Sequence, residues 1–154
     1  MRSAIKSLKN LKIAYLTVHL SSGLNALKVL KKESKNIKIA GVTTLTSLNN
    51  KDLKEIGYNK KVNELVRHQA KLATKAKLDA IVCSGHETRS VKRVFKKEII
   101  TPGIKMQNAK NDQKRIMGPA DAFAKGSDWL VIGRSITNGN IKKNIKNLLE
   151  ILED

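Results

Sequence analysis

The chain has 154 residues, 40% of them hydrophobic, which is enough apolar material for one globular domain over residues 1–154 and too much for a disordered segment. No run of about 18 apolar residues occurs, so no membrane span is expected. The first residues lack the apolar core of a secretory signal, and a soluble, cytoplasmic protein is the expectation.

The formal charge of +18 invites a nucleic-acid reading, because lysines release counterions from phosphate backbones. Yet the lysines are spread along the whole chain, and aromatics at 3% leave little on which unpaired bases could stack. The expectation is therefore a solvated basic surface with no nucleic-acid or membrane partner. A noncatalytic basic module that binds nucleotides or RNA is the alternative. The single cysteine, Cys83, excludes an internal disulfide and ends an apolar run, where a buried structural thiol fits best.

Residues 3–11 place Ile5, Leu8 and Leu11 at helical spacing. A strand follows at 13–18, with His19 at its end as a catalytic base or as a partner for a neighbouring loop. Gly23 opens an amphipathic helix through Leu24, Leu27 and Leu30. Residues 37–45 are β-branched and apolar, and read as a strand ending near Thr46 and Ser47. Asn50 is placed as the N-cap of a helix over 51–56. Residues 60–77 form a longer helix with Val62, Leu65, Val66, Gln69 and Leu72 on or near one face. Strands at 79–83 and 99–101 flank a helix at 87–97 that turns Val91, Val94 and Phe95 inward.

Residues 105–118 show no periodicity and read as a long polar loop, the kind that is usually functional or mobile. Pro119 suits the first turn of a short helix, and Gly126 suits its end. Residues 129–132, Trp-Leu-Val-Ile, read as a strand buried on both faces. Gly133 then lets backbone N–H groups approach a ligand, and Arg134 offers a planar fork of donors for phosphate; an ordinary turn with a solvated arginine is the alternative. A final helix at 141–152 is expected to turn Ile141, Ile145, Leu148 and Leu149 inward.

Five strands alternating with helices predict parallel βαβ units, in either an open doubly wound sheet or part of a (β/α)8 barrel. In both, ligands bind beyond the carboxyl ends of the strands, where Thr46, Lys105, Gln113 and Arg134 fall.

Read in order, the runs Leu16-Thr17-Val18-His19, Gly41-Val42-Thr43-Thr44-Leu45-Thr46-Ser47, Val82-Cys83-Ser84, Ile100-Thr101-Pro102-Gly103-Ile104, Asn111-Asp112-Gln113-Lys114-Arg115 and Val131-Ile132-Gly133-Arg134-Ser135-Ile136-Thr137 resemble orotidine 5′-phosphate decarboxylase. The resemblance covers essentially the whole chain. It implies a (β/α)8 TIM barrel that works as a homodimer and a carbon–carbon lyase of pyrimidine synthesis. That lyase converts orotidine 5′-phosphate to uridine 5′-phosphate (UMP) and carbon dioxide without cofactor or metal.

The resemblance also assigns roles. Gly133 and Arg134 match phosphate ligands, joined by Gln113. Thr46 matches the hydroxyl that contacts the pyrimidine, and Pro102 belongs to the Thr-Pro-Gly-Ile substrate loop. Lys105 stands where the family usually has an arginine, keeping the charge but losing the bidentate fork. The family's Asp-x-Lys-x-x-Asp stretch, whose lysine protonates the carbon that loses carbon dioxide, occurs nowhere in the 154 residues. Its place is expected upstream of Met1, with strands one to three of the barrel missing and about five parallel strands retained. The chain alone is thus expected to bind phosphate and pyrimidine without turnover. Related barrel decarboxylases that act on sugar acid phosphates are a further reading, against which the Asp-Gln-Lys-Arg and Thr-Leu-Thr-Ser stretches favour the pyrimidine nucleotide.

Overall fold

The chain is described by a computed structural model, which covers residues 2–8, 10–106 and 117–153. In chain order the elements are α1 (Arg2–Leu8), β1 (Tyr15–His19), a 3-10 turn (Leu20–Ser22), α2 (Leu24–Glu33), β2 (Lys38–Val42), α3 (Asn50–Glu55), α4 (Val62–Lys75), β3 (Ala80–Val82), α5 (Thr88–Lys92), β4 (Glu98–Pro102), α6 (Pro119–Ala124), β5 (Trp129–Val131), α7 (Arg134–Thr137) and α8 (Ile141–Glu153). No helix among the described residues is long and apolar enough to cross a membrane.

The five strands are all parallel and lie side by side in sequence order, β1-β2-β3-β4-β5. A doubly wound sheet would reverse its order at a switch point. Sequential order with right-handed crossovers instead winds one way, laying the helices on one face as in a barrel wall. That helix-covered face carries Leu16, Val18, Ile39, Ile81 and Ile99. They pack with Ile5, Leu27 and Leu30 from α1 and α2, Val66, Ala70 and Ala73 from α4, and Val91 and Phe95 around α5. Gly41 lies on this face because a Cβ there would stand 2.6 Å from Leu20 Cδ2 and 2.9 Å from Leu78 Cδ1. A smaller core of Ile104, Met117 and Ala122 lies beneath Leu130 and Ile132.

Two aspartates pin the register. The Asp79 carboxylate accepts from Ile39 N at 2.9 Å and from Lys31 Nζ at 2.6 Å, while its own N–H donates to Ile39 O at 3.0 Å. Asp128 repeats the arrangement two βα units later, accepting from Ile99 N and from Lys92 Nζ, each at 2.8 Å, with its N–H on Ile99 O at 2.9 Å. Each aspartate sits just before its strand, so one residue ties a new strand to its neighbour and to a helix lysine. Partial burial pushes the Asp79 carboxyl upward, but the bonds from Lys31 and Ile39 outweigh it and hold the group below the usual carboxylate range.

Several expectations need correction. The strand at 129–132 is not buried on both faces: β5 has β4 as its only neighbour in this sheet, and Trp129 and Val131 are 56% and 51% exposed. For the same reason α8 buries none of its residues, and Ile141, Ile145 and Leu149 face outward, with Leu148 half-buried. Leu11 lies beyond α1 and is exposed. Asn50 is the first residue of α3, and the cap is Asn49, whose side chain accepts from Lys51 N and Asp52 N in a capping box closed by Asp52.

Candidate functional site

Beyond the carboxyl ends of β2, β3 and β4 the chain forms one cleft of about 700 Å³. Its first wall follows β2. Thr43 donates to Val82 O at 2.9 Å, and the Gln69 side chain, buried on α4, accepts from Thr44 N at 2.9 Å and from Thr44 Oγ1 at 3.2 Å. This anchor directs Thr44, Leu45 and Thr46 into the cleft. The loop is closed further on, where Asn50 Oδ1 accepts from Val62 N at 2.9 Å and so joins the starts of α3 and α4.

The second wall follows β3. Cys83 is buried against the helices, with Thr88 Oγ1 3.9 Å from its sulfur, and burial pushes the thiol up to about 12. Ser84 then turns the chain: its Oγ accepts from His86 N at 3.2 Å and its carbonyl accepts from Thr88 Oγ1 at 3.2 Å. This turn sets Ser84, Gly85, His86 and Glu87 along the cleft. Gly85 is required by close approach, since a Cβ would stand 2.9 Å from Met117 Cγ. The third wall follows β4, where Pro102 and Gly103 line the cleft and Gly103 takes φ +77, a conformation that suits glycine.

Among the residues singled out from sequence, the cleft brings Thr46 and Pro102 together. Gly133 and Arg134 follow β5, the neighbouring strand on the same rim, and do not line it. Gly133 caps α7, its carbonyl accepting from Ile136 N and Thr137 N at 2.8 and 3.1 Å, and the exposed Arg134 is the first residue of that helix. Lys105 is exposed, its backbone N–H on Met117 O at 3.2 Å. Gln113 lies outside the described residues. His19 is exposed at the end of β1. Sequence reasoning did not single out Asn49, Asn63, His86 or Glu87, although the rule that sites gather after parallel strands would have flagged His86 and Glu87. The lining mixes apolar residues such as Leu45, Leu48 and Val62 with the hydroxyls and amides of Thr46, Ser84 and Asn63, a combination suited to a polar ring, while Arg134 stands on the neighbouring rim.

Residues 1–145 match the sequence profile described as the orotidine 5′-phosphate decarboxylase / HUMPS family. The chain belongs to that family. It is 39% identical over 155 residues to the orotidine 5′-phosphate decarboxylase of Wolbachia pipientis subsp. Culex pipiens, covering 97% of this chain and 69% of that protein. It is 40% identical over 144 residues to the enzyme of the same name from Coxiella burnetii, covering 87% of this chain and 61% of the relative. The crystal structure of orotidine 5′-phosphate decarboxylase from Lactobacillus acidophilus superposes with a TM-score of 0.80 at 26% identity, over 99% of this chain and 69% of that one. The fold is therefore part of a TIM barrel, and the chain spans roughly 60–70% of the length of these family members.

Proposed function

We propose that this chain supplies the phosphate- and pyrimidine-binding portion of an orotidine 5′-phosphate decarboxylase. The observation that supports the reading is the cleft beyond β2, β3 and β4, lined by Thr46 and Pro102, with Gly133 and Arg134 outside it, following β5 on the same rim. In the proposed complex Thr46 meets the pyrimidine and Pro102 borders it. Arg134 and the Gly133 backbone hold the phosphate, assisted by Gln113 and Lys105.

Decarboxylation breaks the bond between the ring carbon and its carboxylate. The electron pair stays on the ring carbon, carbon dioxide leaves, and a lysine ammonium returns a proton to that carbon. Phosphate binding remote from the bond organises the site around the pyrimidine, so grip and chemistry are separable. The 154 residues hold the grip but no Asp-x-Lys-x-x-Asp stretch. The polypeptide alone therefore binds UMP and does not turn over orotidine 5′-phosphate.

The test is a thermal shift. At 100 times the dissociation constant, UMP stabilises by about 2.7 kcal/mol, a rise of about 5–11 °C for a chain of this size. Arg134→Ala removes charge-assisted bonds worth about 1.5–3 kcal/mol and cuts the shift by half or more. No shift with UMP, an equal one with ribose 5-phosphate, or salt-sensitive RNA binding indifferent to Arg134→Ala would each overturn the reading.

A further inference from the structure

The face of the sheet that, among the described residues, carries no helices holds a polar cluster at the end opposite the cleft. The Glu98 carboxylate on β4 accepts from the Tyr15 hydroxyl on β1, from Lys38 Nζ on β2 and from Trp129 Nε1 on β5, the last at 3.2 Å. Lys38 Nζ also donates to the Tyr15 hydroxyl at 3.1 Å and stands 5.1 Å from the centre of its ring. The registers Tyr15↔Lys38, Ala40↔Ala80, Ala80↔Glu98 and Ile100↔Trp129 put all four side chains on this one face.

β1 and β4 are three strands apart, about 14 Å along a flat sheet at the usual strand spacing. A tyrosine and a glutamate cannot close that span edgewise, so the sheet curls and the two side chains meet across its hollow. β3 presents only Ala80 between them, and Ala80 and Ala40 on β2 are fully buried beneath the long side chains. The curl is thus held by a single carboxylate that reaches every strand of the sheet except β3.

Three of the four tied strands deliver the proposed nucleotide contacts at their other ends. β2 runs from Lys38 toward Thr46, β4 from Glu98 to Pro102, and β5 from Trp129 toward Gly133 and Arg134. We infer that Glu98 is a positioning residue for the nucleotide site: by fixing the curl it sets the separation between the pyrimidine contacts after β2 and β4 and the phosphate contacts after β5. This rests on the function proposed above. The groups facing Glu98 are Tyr15, Lys38 and Trp129, with Ala80 from β3. Partial burial pushes its carboxyl up, but the bonds from Lys38 and Tyr15 prevail and hold it below the usual range.

The test compares the intact chain with Glu98→Gln and Trp129→Phe, at a temperature where circular dichroism finds all three folded. A ligand that spans both subsites needs their separation, whereas inorganic phosphate needs one subsite only. Glu98→Gln is expected to weaken UMP roughly tenfold or more, in the range that a misplacement of about 1 Å costs, with inorganic phosphate affinity unchanged. Trp129→Phe, which frees only β5, shows a smaller loss of the same kind. Trp129 is the sole tryptophan, and its fluorescence in the unaltered chain should change as Glu98 takes up a proton below pH 4.5, a step missing in Glu98→Gln. UMP binding equal in the native chain and Glu98→Gln, parallel losses for UMP and phosphate, or a fluorescence step that survives Glu98→Gln would overturn the positioning role. A native chain that ignores UMP overturns the proposed function and this role together.

Discussion

Replacing Asp79 by alanine removes the acceptor of two hydrogen bonds at once. Ile39 belongs to a fully buried residue of β2, and its N–H would be left without a partner at a cost of about 1–3 kcal/mol. The lost pairs with Lys31 at 2.6 Å and Lys97 at 3.7 Å are partly open to water and add about 1 kcal/mol. The sum is about 2–4 kcal/mol, which lowers the melting temperature of a chain this size by about 4–16 °C. Asp128→Ala breaks the equivalent bonds to Ile99 and Lys92, but Asp128 is 40% exposed against 19% for Asp79, so water replaces more of what is lost and the fall is smaller. Asp79→Asn keeps an oxygen for the Ile39 N–H and should recover more than half of the stability.

The pH dependence has a definite sign. Because the folded Asp79 carboxyl lies below its ordinary value of 3.8, its contribution is complete above that pH and is lost as pH falls through the depressed folded value. Urea and thermal melts monitored by circular dichroism check the series, and the Asp79→Ala deficit should shrink in acid. A deficit under about 1 kcal/mol, or one smaller than that of Asp128→Ala, refutes the register-pin argument.

Three further outcomes follow from the same structure. Cys83, buried and with its thiol pushed up to about 12, should resist alkylating and disulfide reagents at pH 8 in the folded chain and react stoichiometrically in urea; rapid native labelling would contradict its burial. Gly41→Ala drives a methyl against Leu20 and Leu78 and should cost about 1–3 kcal/mol in denaturant melts, whereas a neutral result would mean that both leucines move freely aside. The outward stripe of Ile141, Ile145, Leu149 and Leu152, and separately the exposed Trp129 and Val131 on the open β5, should drive concentration-dependent association in sedimentation experiments. Ile145→Asp with Leu149→Asp should weaken it, and a monodisperse monomer at every concentration counts against it.

The strands and most helices could be read from the chain because each is a short apolar run or a three-to-four-residue rhythm bounded by glycine, proline or polar residues. Gly126, at φ +98 after α6, behaves as its position implied. Periodicity, however, reports which residues are apolar and not which have neighbours. Trp129 and Val131, and the apolar face of α8, look like core in the sequence and lie open in the structure. α7 has four residues, too few to show a period, and choosing between Asn49 and Asn50 as the cap needed backbone angles. The places of Thr46 and Pro102 along the cleft were legible because one follows β2 and the other ends β4 in recognisable runs. Gln69 was legible only as an inward residue of α4, since its bonds to Thr44 cross 25 positions. Single bonds of the Glu98 cluster span up to 83 positions, and no local pattern announces it.

Binding and chemistry are separable in this chain, and one measurement addresses both. The purified chain is titrated with orotidine 5′-phosphate labelled at its carboxylate, with bound ligand and released carbon dioxide followed together. The expected result is saturable binding that Arg134→Ala weakens by roughly ten- to a hundredfold, with carbon dioxide release no faster than in buffer. Release above that background, or no saturable binding at all, would contradict it.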